Sequence, residues 1–250
     1  MAGTNKKKKI IFSKPAIILR NTQLPDNIGM SARSMVNYGF KDLRIVKPKV
    51  KWPNKKADSA SAGAFDIINK NTKIYSNIED SFKGIDIIFA TSVRNRDLEN
   101  IVLSPREAVK IAKYKYKNNK IGFLFGPEKA GLNNEDLSEA NYIIQIPTNP
   151  SFGSLNIAMA VNIICYEWYL LENDSLTDEK LIYNVADKKK IYLFKKFLIS
   201  TLYKTKFLKD RLTDKKLEIN VKNIFSKKIL TNKEILILYG IIKNLKKYKK

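Results

Sequence analysis

The segment 146–161, with the sequence IPTNPSFGSLNIAMAV, contains the residues best suited to hold a ligand. An apolar run ends at Pro147, Pro150 and Gly153 then shape a loop, and a helix is predicted to open at Ser154 and to continue to about Leu171. Such a loop exposes backbone N–H groups, and a helix start adds a partial positive charge. An ordinary strand–helix connection has the same pattern, so both interpretations stay open for this segment alone.

Two further apolar runs end in similar loops. Thr91, Ser92 and Val93 follow the run 85–90, and Gly126 begins the loop after the run 121–125. The spacing of glycines at 126 and 131 resembles a phosphate loop, but Leu and Asn follow where Lys and Ser or Thr are required, so we exclude a nucleoside triphosphate site. Three such loops at one edge of a sheet predict a cleft.

Composition excludes several kinds of chemistry. The chain has no histidine, which removes the usual general base, the Ser-His-Asp and Cys-His arrangements and the commonest metal ligand. Cys165 is the only cysteine, so we expect neither a disulfide nor a metal site. Because Cys165 lies in an apolar helical stretch, we predict a small buried hydrophobe there.

The net charge of +23 favours a polyanionic partner, with nucleic acid first. A general enrichment in Lys would also raise the charge without serving a function. The distribution favours a functional role, because residues 172–250 hold 21 Lys and Arg against 9 Asp and Glu. We therefore expect contact with RNA or DNA in the C-terminal part.

Alternating apolar runs and helical patterns predict an α/β fold with a doubly wound parallel sheet. Strands are predicted at 16–19, 42–46, 73–75, 85–90, 121–125 and 141–146, and helices at 26–38, 57–65, 78–82, from Ser104, and at 154–171. Asp26 or Asn27 is expected to cap the first helix and Gly39 to follow it. The sequence has no apolar run long enough to span a membrane and no signal-peptide core, so we expect a cytoplasmic protein.

Three regions are predicted along the chain. Residues 1–14 form a basic tail, 15–172 the α/β domain, and 176–250 a basic helical extension after a polar break at 172–175. Thr231 and Glu234 have the spacing of a capping box. The helix that follows is expected to pack through one apolar face made of Ile235, Leu238, Tyr239, Ile242 and Leu245.

Three segments together resemble the SpoU (TrmH) branch of the SPOUT-class RNA ribose 2′-O-methyltransferases. They are 27–33 (NIGMSAR), 125–132 (FGPEKAGL) and the segment 146–161, in the order and spacing of that branch over about residues 15–170. The resemblance implies a deep trefoil knot, an obligate homodimer and S-adenosyl-L-methionine bound in the knot. It also implies an enzyme that needs no metal.

The resemblance also assigns site residues. It implies that the cofactor contacts Thr91, Ser92, Val93, Gly126, Ile146, Gly153, Ser154 and Leu155. The implied catalytic candidates are Arg33, Glu128, Ser154 and Asn156, and the implied substrate-binding residues are Asn27 and Arg33.

Methyl transfer to a ribose hydroxyl needs close in-line positioning and some help in removing the hydroxyl proton. A guanidinium is a poor base, so our hypothesis for Arg33 is phosphate positioning or stabilisation of the developing alkoxide. Ser154 and Asn156 are expected to orient the ribose. Helix capping is the structural alternative for Asn27, Ser154 and Asn156, and an ion pair with Arg33 is the alternative for Glu128.

Within the branch, the sequence most resembles the TrmJ type, the tRNA (cytidine/uridine-2′-O)-methyltransferases. The segment 90–94 (ATSVR) and the tail 224–240 carry this likeness. It implies methylation of tRNA at position 32 of the anticodon loop, helped by the C-terminal extension. Ribosomal RNA stays open as the substrate. A non-catalytic RNA-binding or assembly protein on the same scaffold, or a DNA-binding protein, is the alternative from another functional class.

Overall fold

A sheet of seven parallel strands lies at the centre of the computed structural model, which describes residues 10–13, 15–93, 101–172, 185–210, 212–227 and 229–247. The strand order is β3-β2-β1-β6-β4-β7-β5. The strands are β1 Ala16–Arg20, β2 Asp42–Val46, β3 Thr72–Tyr75, β4 Ile87–Thr91, β5 Val102–Leu103, β6 Ile121–Phe125 and β7 Tyr142–Ile144.

Ten α-helices lie in the described ranges. They are α1 Pro25–Asn37, α2 Lys55–Ser61, α3 Ala64–Ile68, α4 Ile78–Ser81, α5 Pro105–Lys110, α6 Asn134–Ser138, α7 Ile157–Glu172, α8 Lys188–Lys204, α9 Lys215–Lys227 and α10 Asn232–Lys247. Short 3₁₀ turns occur at Asn69–Asn71 and Pro150–Phe152, and a π-helical turn at Ile111–Lys115 continues α5.

Helices cover both faces of the sheet. Along β1, the side chains of Ile17 and Leu19 enter a core with α1, α3, α5 and α7, whereas Ile18 enters a second core with α6. This alternation follows from the period of two in a strand, and it explains why the strands read as continuous apolar runs. The predicted α/β class with a parallel sheet is confirmed.

The largest local error of the sequence prediction is the helix expected at 57–65. The chain forms two helices instead, because Ala62 and Gly63 adopt left-handed backbone conformations with φ of 49° and 83°. The sequence also gave no warning of the two-residue strand β5 or of α6. Both elements are too short to show a hydrophobic period.

The caps at helix ends were predicted with mixed success. Ser104 forms a capping box with Glu107, and Gly39 follows α1 with φ of 77°, as expected. Asp26 and Asn27 do not cap α1, which instead begins at Pro25 after Leu24 with no side-chain cap. Proline suits this position because the first helical N–H has no partner inside the helix.

The three C-terminal helices form a small core of their own. Ala186, Ile191, Phe194, Leu230 and Ile235 are buried there, and Leu238, Tyr239 and Ile242 pack against them. The predicted capping box is confirmed, because Glu234 N–H donates to the Thr231 hydroxyl and the Glu234 carboxylate accepts from Thr231 N–H. Leu245 was wrongly placed on the packed face, since 65% of it is exposed.

A buried polar network joins α8 and α9 to the segment after α6. Lys195 Nζ lies 2.6 Å from Glu139 Oε2 and donates to the Ser226 hydroxyl at 3.0 Å. Lys188 Nζ donates to the main-chain carbonyl of Glu139 at 2.8 Å, and Asn141 Nδ2 donates to the carbonyl of Ser226 at 3.0 Å. Of the two buried lysines, Lys195 thus pairs with the Glu139 carboxylate, whereas Lys188 contacts only the main-chain carbonyl of that residue.

The burial of Lys188 determines its protonation. Burial, and then the charge of Lys195, lowers the pKa of Lys188 to about 7, against 10.5 for an ordinary lysine. The unfolded chain keeps that proton up to a higher pH than the folded chain does. Stability must therefore rise with pH above the folded pKa of Lys188.

We expect the free energy of unfolding to rise by about 1–2 kcal/mol between about pH 7 and pH 8.5. Lys188→Met should lose most of this rise, because the titrating group is gone. Urea titrations of both proteins across this range measure the difference. Ionisation of the unfolded Cys165 thiol, whose pKa burial raises in the folded chain, acts in the opposite direction near the upper end of this range, and it does so equally in both proteins. Parallel pH curves for the two proteins would contradict the assignment.

Several expectations have a simple outcome. Cys165 is buried in α7, as predicted for a small hydrophobe. None of the helices in the described ranges is long and apolar enough to cross a membrane. The basic tail up to residue 9, the residues 94–97 and the polar break at 173–175 lie outside the described residues.

Candidate active site

A cleft of about 410 Å³ opens where the carboxyl ends of β4, β6 and β7 meet. Its walls come from the three predicted loops at 91–93, 125–128 and 146–155, together with residues 129–132, Ile144, Ile157 and Ala160. All eight positions expected to contact the cofactor line it: Thr91, Ser92, Val93, Gly126, Ile146, Gly153, Ser154 and Leu155. The prediction that the three loops meet in one cleft is confirmed.

Hydrogen bonds between the loops fix the shape of the cleft. Ser92 N–H donates to Ile144 O at 3.0 Å, and Gln145 Nε2 donates to Val93 O at 3.3 Å, so the loops after β4 and β7 are joined. Within the last loop, the Thr148 hydroxyl donates to Gly153 O at 3.3 Å. The loops of the cleft are therefore joined by one main-chain donor and two side-chain donors, each of which bonds to a main-chain carbonyl.

Gly126 permits the sharp fold of the loop after β6. A Cβ atom at this position would lie 2.3 Å from the backbone nitrogen of Leu132, so any larger residue would force the loop open. Leu132 is buried beneath the loop and lines the cleft. The glycine is thus needed for close approach of two backbone segments, which a phosphate-loop comparison of the sequence did not reveal.

Glu128 ties the second loop to the start of α1. Its carboxylate accepts hydrogen bonds from the main-chain N–H groups of Gln23 at 2.9 Å and Leu24 at 3.2 Å, and from Asn27 Nδ2 at 2.8 Å. The predicted alternative, an ion pair with Arg33, is wrong. Glu128 instead satisfies N–H groups that the chain leaves free just before the helix.

Asn27 connects all three motifs. Its side chain is only 1% exposed, and its two polar atoms bind different loops. While Nδ2 donates to Glu128, Oδ1 accepts from Asn156 Nδ2 at 2.9 Å. Asn156 Oδ1 in turn accepts from Ala158 N–H at 2.8 Å, which confirms Asn156 as a capping residue. Asn27 is not a helix cap, since it lies inside the first turn of α1 and its Oδ1, the only side-chain atom that could accept from helix N–H groups, accepts from Asn156 instead.

The remaining two catalytic candidates occupy different places. Ser154 is exposed and lines the cleft, with its hydroxyl close to the start of α7 in sequence. Arg33 is exposed on α1 and does not line the cleft. Glu128 and Ser154 therefore line the cleft, Asn27 and Asn156 are joined to Glu128 by hydrogen bonds without lining it, and Arg33 lies outside its wall.

The cleft suits a small, mainly uncharged ligand surface. Of its lining residues, only Glu128 and Lys129 carry charged side chains, and Val93, Ile146 and Leu155 provide apolar walls for a flat ring. Polar recognition then falls to backbone groups and to the hydroxyls of Thr91, Ser92, Thr148 and Ser154. In the described part of the chain, no group of His, Cys, Asp and Glu is arranged to hold a metal ion.

Several lining residues were not named as site residues, although all of them except Ile144 lie within the segments 125–132 and 146–161. They are Phe125, Pro127, Lys129, Ala130, Gly131, Leu132, Ile144, Thr148, Ile157 and Ala160. Ile157 and Ala160 belong to α7, where the helical pattern of the sequence predicted that they are buried but did not predict that they lie next to a ligand. Only the placement of α7 against the loops reveals their second role.

A sequence model of the SpoU rRNA methylase family matches residues 14–166, which is more than half of the chain. The chain belongs to the SpoU rRNA methylase family. The match contains the three predicted motifs and ends within α7, so it covers every residue of the cleft. The resemblance stated from the sequence is confirmed at this level.

The chain is similar to TrmJ proteins over almost its whole length. It is 32% identical to the tRNA (cytidine/uridine-2′-O-)-methyltransferase TrmJ of Citrobacter koseri, with 94% of this chain and 97% of the relative covered. The corresponding TrmJ of Salmonella choleraesuis is 30% identical with the same coverage. The crystal structure of TrmJ from Z. mobilis ZM4 superposes with a TM-score of 0.83, and the two sequences are 31% identical. The alignment covers 94% of this chain and all of the TrmJ chain.

Proposed function

We propose that this SpoU family protein transfers a methyl group from S-adenosyl-L-methionine to a ribose 2′-hydroxyl of tRNA. The observation that carries the proposal is the cleft at the ends of β4, β6 and β7, which contains all eight expected cofactor positions beside the Glu128–Asn27–Asn156 network. The TrmJ names of relatives that match nearly the full chain support tRNA as the substrate. The proposed target is the pyrimidine at position 32 of the anticodon loop.

The bound cofactor supplies an electrophilic methyl group, and the protein supplies position. We assign the cofactor to the loops at 91–93, 126–132 and 146–155, where apolar walls and backbone groups converge. Asn156 uses one N–H of its amide for Asn27 and keeps a second for the ribose. Ser154 offers an exposed hydroxyl at the same rim. Together they orient the attacking ribose oxygen toward the methyl group. Such positioning lowers the activation free energy of a displacement reaction.

Glu128 is proposed to act through its place in this network. Its carboxylate lines the cleft and is held by three N–H donors, so its orientation is fixed before any ligand binds. A carboxylate fixed in this way provides a constant negative potential next to the cofactor loops. The network also places Asn27 behind Asn156, so we assign Asn27 to positioning and no longer to direct substrate contact.

Arg33 is proposed to bind a phosphate of the substrate RNA or the developing alkoxide. Because Arg33 lies outside the cleft wall, Arg33→Lys should leave cofactor affinity unchanged and lower turnover about 10- to 100-fold, since lysine cannot bind a phosphate in the bidentate manner of a guanidinium. Steady-state methyl transfer and cofactor titration measure the two effects. The exposed Arg106→Lys on α5 is the matched control. Near-normal turnover of Arg33→Lys would remove Arg33 from the mechanism.

We infer further that the protein is a knotted, cytoplasmic homodimer, as the family resemblance implies. Supporting the dimer, α7 presents an exposed apolar face with Met159, Tyr166, Tyr169 and Leu170. The ring of Tyr38 lies 5.8 Å from those of both Tyr166 and Tyr169, which extends this face onto the end of α1. A contiguous aromatic surface of this kind is typical of a subunit interface. The domain boundary at 172–176 and an RNA-holding role for the C-terminal helices are part of the same proposal.

Transfer of labelled methyl from S-adenosyl-L-methionine to unmodified tRNA and, separately, to ribosomal RNA tests the function. We expect ribose methylation of one anticodon-loop pyrimidine, located by nucleoside mapping. Methylation of ribosomal RNA alone, which the family description makes the second candidate, would retain the reaction and reject the tRNA substrate. No transfer to either RNA, with no cofactor binding by calorimetry, would favour a non-catalytic RNA-binding protein.

A further inference from the structure

The turn between α8 and α9 exposes two large apolar side chains. Phe207 is 60% exposed and Leu212 is 87% exposed, and neither belongs to the core of the three C-terminal helices. Leu208, next to Phe207, is completely buried. The turn therefore anchors one apolar side chain and directs its neighbour to solvent.

Hydrogen bonds show that this exposure is built into the fold. The N–H groups of Phe207 and Leu208 both donate to Leu202 O, at 3.0 and 3.2 Å, which fixes the end of α8. The Asp214 carboxylate accepts from Lys209 N–H at 2.6 Å, so the two ends of the remaining turn are closed. A segment that hydrogen bonds hold in this way, and that presents an aromatic ring, loses little conformational entropy when a ligand covers the ring.

The charge around Phe207 matches a polyanion. Residues 204–216 contain six Lys and Arg against two Asp. Both aspartates are engaged with the backbone of the turn, since Asp210 accepts from Leu212 N–H at 2.6 Å and Asp214 accepts from Asp210 N–H at 3.1 Å. Lys204, Lys206 and Lys209 are exposed and form no ion pair with a described residue. An aromatic ring between unpaired cations is the composition of a single-stranded nucleic acid site.

The turn also lies on the side of the molecule that carries the second cofactor loop. Lys215, at the start of α9, has its Nζ 3.1 Å from Glu135 Oε1. Glu135 belongs to α6, three residues after Leu132 in the wall of the cleft. An RNA that places a ribose at the cleft can therefore continue along α6 to the turn.

We infer that Phe207 stacks on an unpaired base of the substrate RNA, with the flanking lysines on the phosphates. The inference rests on the proposed function for the identity of the RNA. It adds a specific mode of contact to the C-terminal helices, because a stacking platform selects single-stranded loops over duplex, which offers no free base face. Charge alone would not make that distinction.

The test compares Phe207→Ala, Phe207→Tyr and Leu236→Ala in the full chain. Leu236 is the control, because it is 71% exposed on α10 and lies outside the turn. We expect Phe207→Ala to weaken the Kd for unmodified tRNA about 5- to 100-fold, the range that loss of one base–aromatic stack produces. Phe207→Tyr should bind as the wild type does, since it keeps the ring, and Leu236→Ala should also bind normally.

The salt dependence separates stacking from charge. Stacking releases no counterions, so the slope of log affinity against log salt should be the same for Phe207→Ala and the wild type. Lys206→Ala should reduce the magnitude of that slope by about one, because one fewer phosphate is neutralised. If the wild type transfers methyl groups, two results would overturn the inference. One is an equal Kd for Phe207→Ala and the wild type, and the other is a Phe207→Tyr variant that binds tRNA as weakly as Phe207→Ala does. If the wild type itself transfers no methyl group to tRNA, the proposed function is rejected instead.

Discussion

Asn27→Ala is expected to lower the rate of methyl transfer about 100-fold, although Asn27 is buried and is not placed against the substrate. The substitution removes the donor to Glu128 and the acceptor for Asn156 at once. Glu128 then loses one of three donors, and the amide of Asn156 is free to rotate. A displacement of the ribose by about 1 Å is sufficient for a loss of this size.

Single-turnover measurements with saturating cofactor and RNA isolate the chemical step. Asn37→Ala is the matched control, because Asn37 lies at the exposed end of the same helix. We expect the Asn27 variant to keep its affinity for tRNA, because the groups that bind RNA are unchanged. A normal single-turnover rate for Asn27→Ala would show that the network only stabilises the fold.

The second large effect is on stability. Glu139→Gln should lower the free energy of unfolding at neutral pH by about 3–5 kcal/mol, because it removes the one carboxylate from a buried site that contains two lysines. Either Lys195 must lose its proton or an unpaired charge must stay buried. Part of the loss should be recovered at higher pH, where deprotonating a lysine costs less.

Chemical denaturation at two pH values measures this effect. Glu135→Gln is the control, since Glu135 pairs with Lys215 at the surface, where both side chains are more than half exposed. An exposed pair of this kind contributes only about 0–1 kcal/mol. The double variant Glu139→Gln with Lys195→Met should regain stability because the unpaired charge is gone. Equal losses for Glu139→Gln and Glu135→Gln would contradict the importance of the buried network.

Sequence reasoning succeeded where the signal is local. The strand at 121–125 appears as an apolar run that is bounded by polar and turn residues, and the structure places β6 at those residues. The capping box of Thr231 and Glu234 likewise depends on four consecutive residues. The meeting of three loops in one cleft was also predictable, because parallel strands end at a common edge of the sheet.

Sequence reasoning failed where a side chain finds its partner far along the chain. Asn27 binds Glu128 and Asn156, which lie more than one hundred residues away, so its position near a helix start favoured capping. Lys188 and Lys195 are buried, yet in the sequence they are indistinguishable from the many exposed lysines. No local rule reveals a lysine that a distant carboxylate makes tolerable inside the protein.

The attachment of α8 and α9 to the α/β unit has a consequence for how such a protein can diversify. Lys195 forms an ion pair with Glu139, and the carbonyl of Ser226 accepts a hydrogen bond from the Asn141 side chain. The Asp187 carboxylate accepts from Gly84 N–H at 2.9 Å. Replacing the C-terminal helices with an unrelated domain would leave the buried side chains of Glu139 and Asn141 without their hydrogen-bond partners. Changes in RNA preference are therefore more accessible through point substitutions on the outer surface of these helices than through recombination at their base.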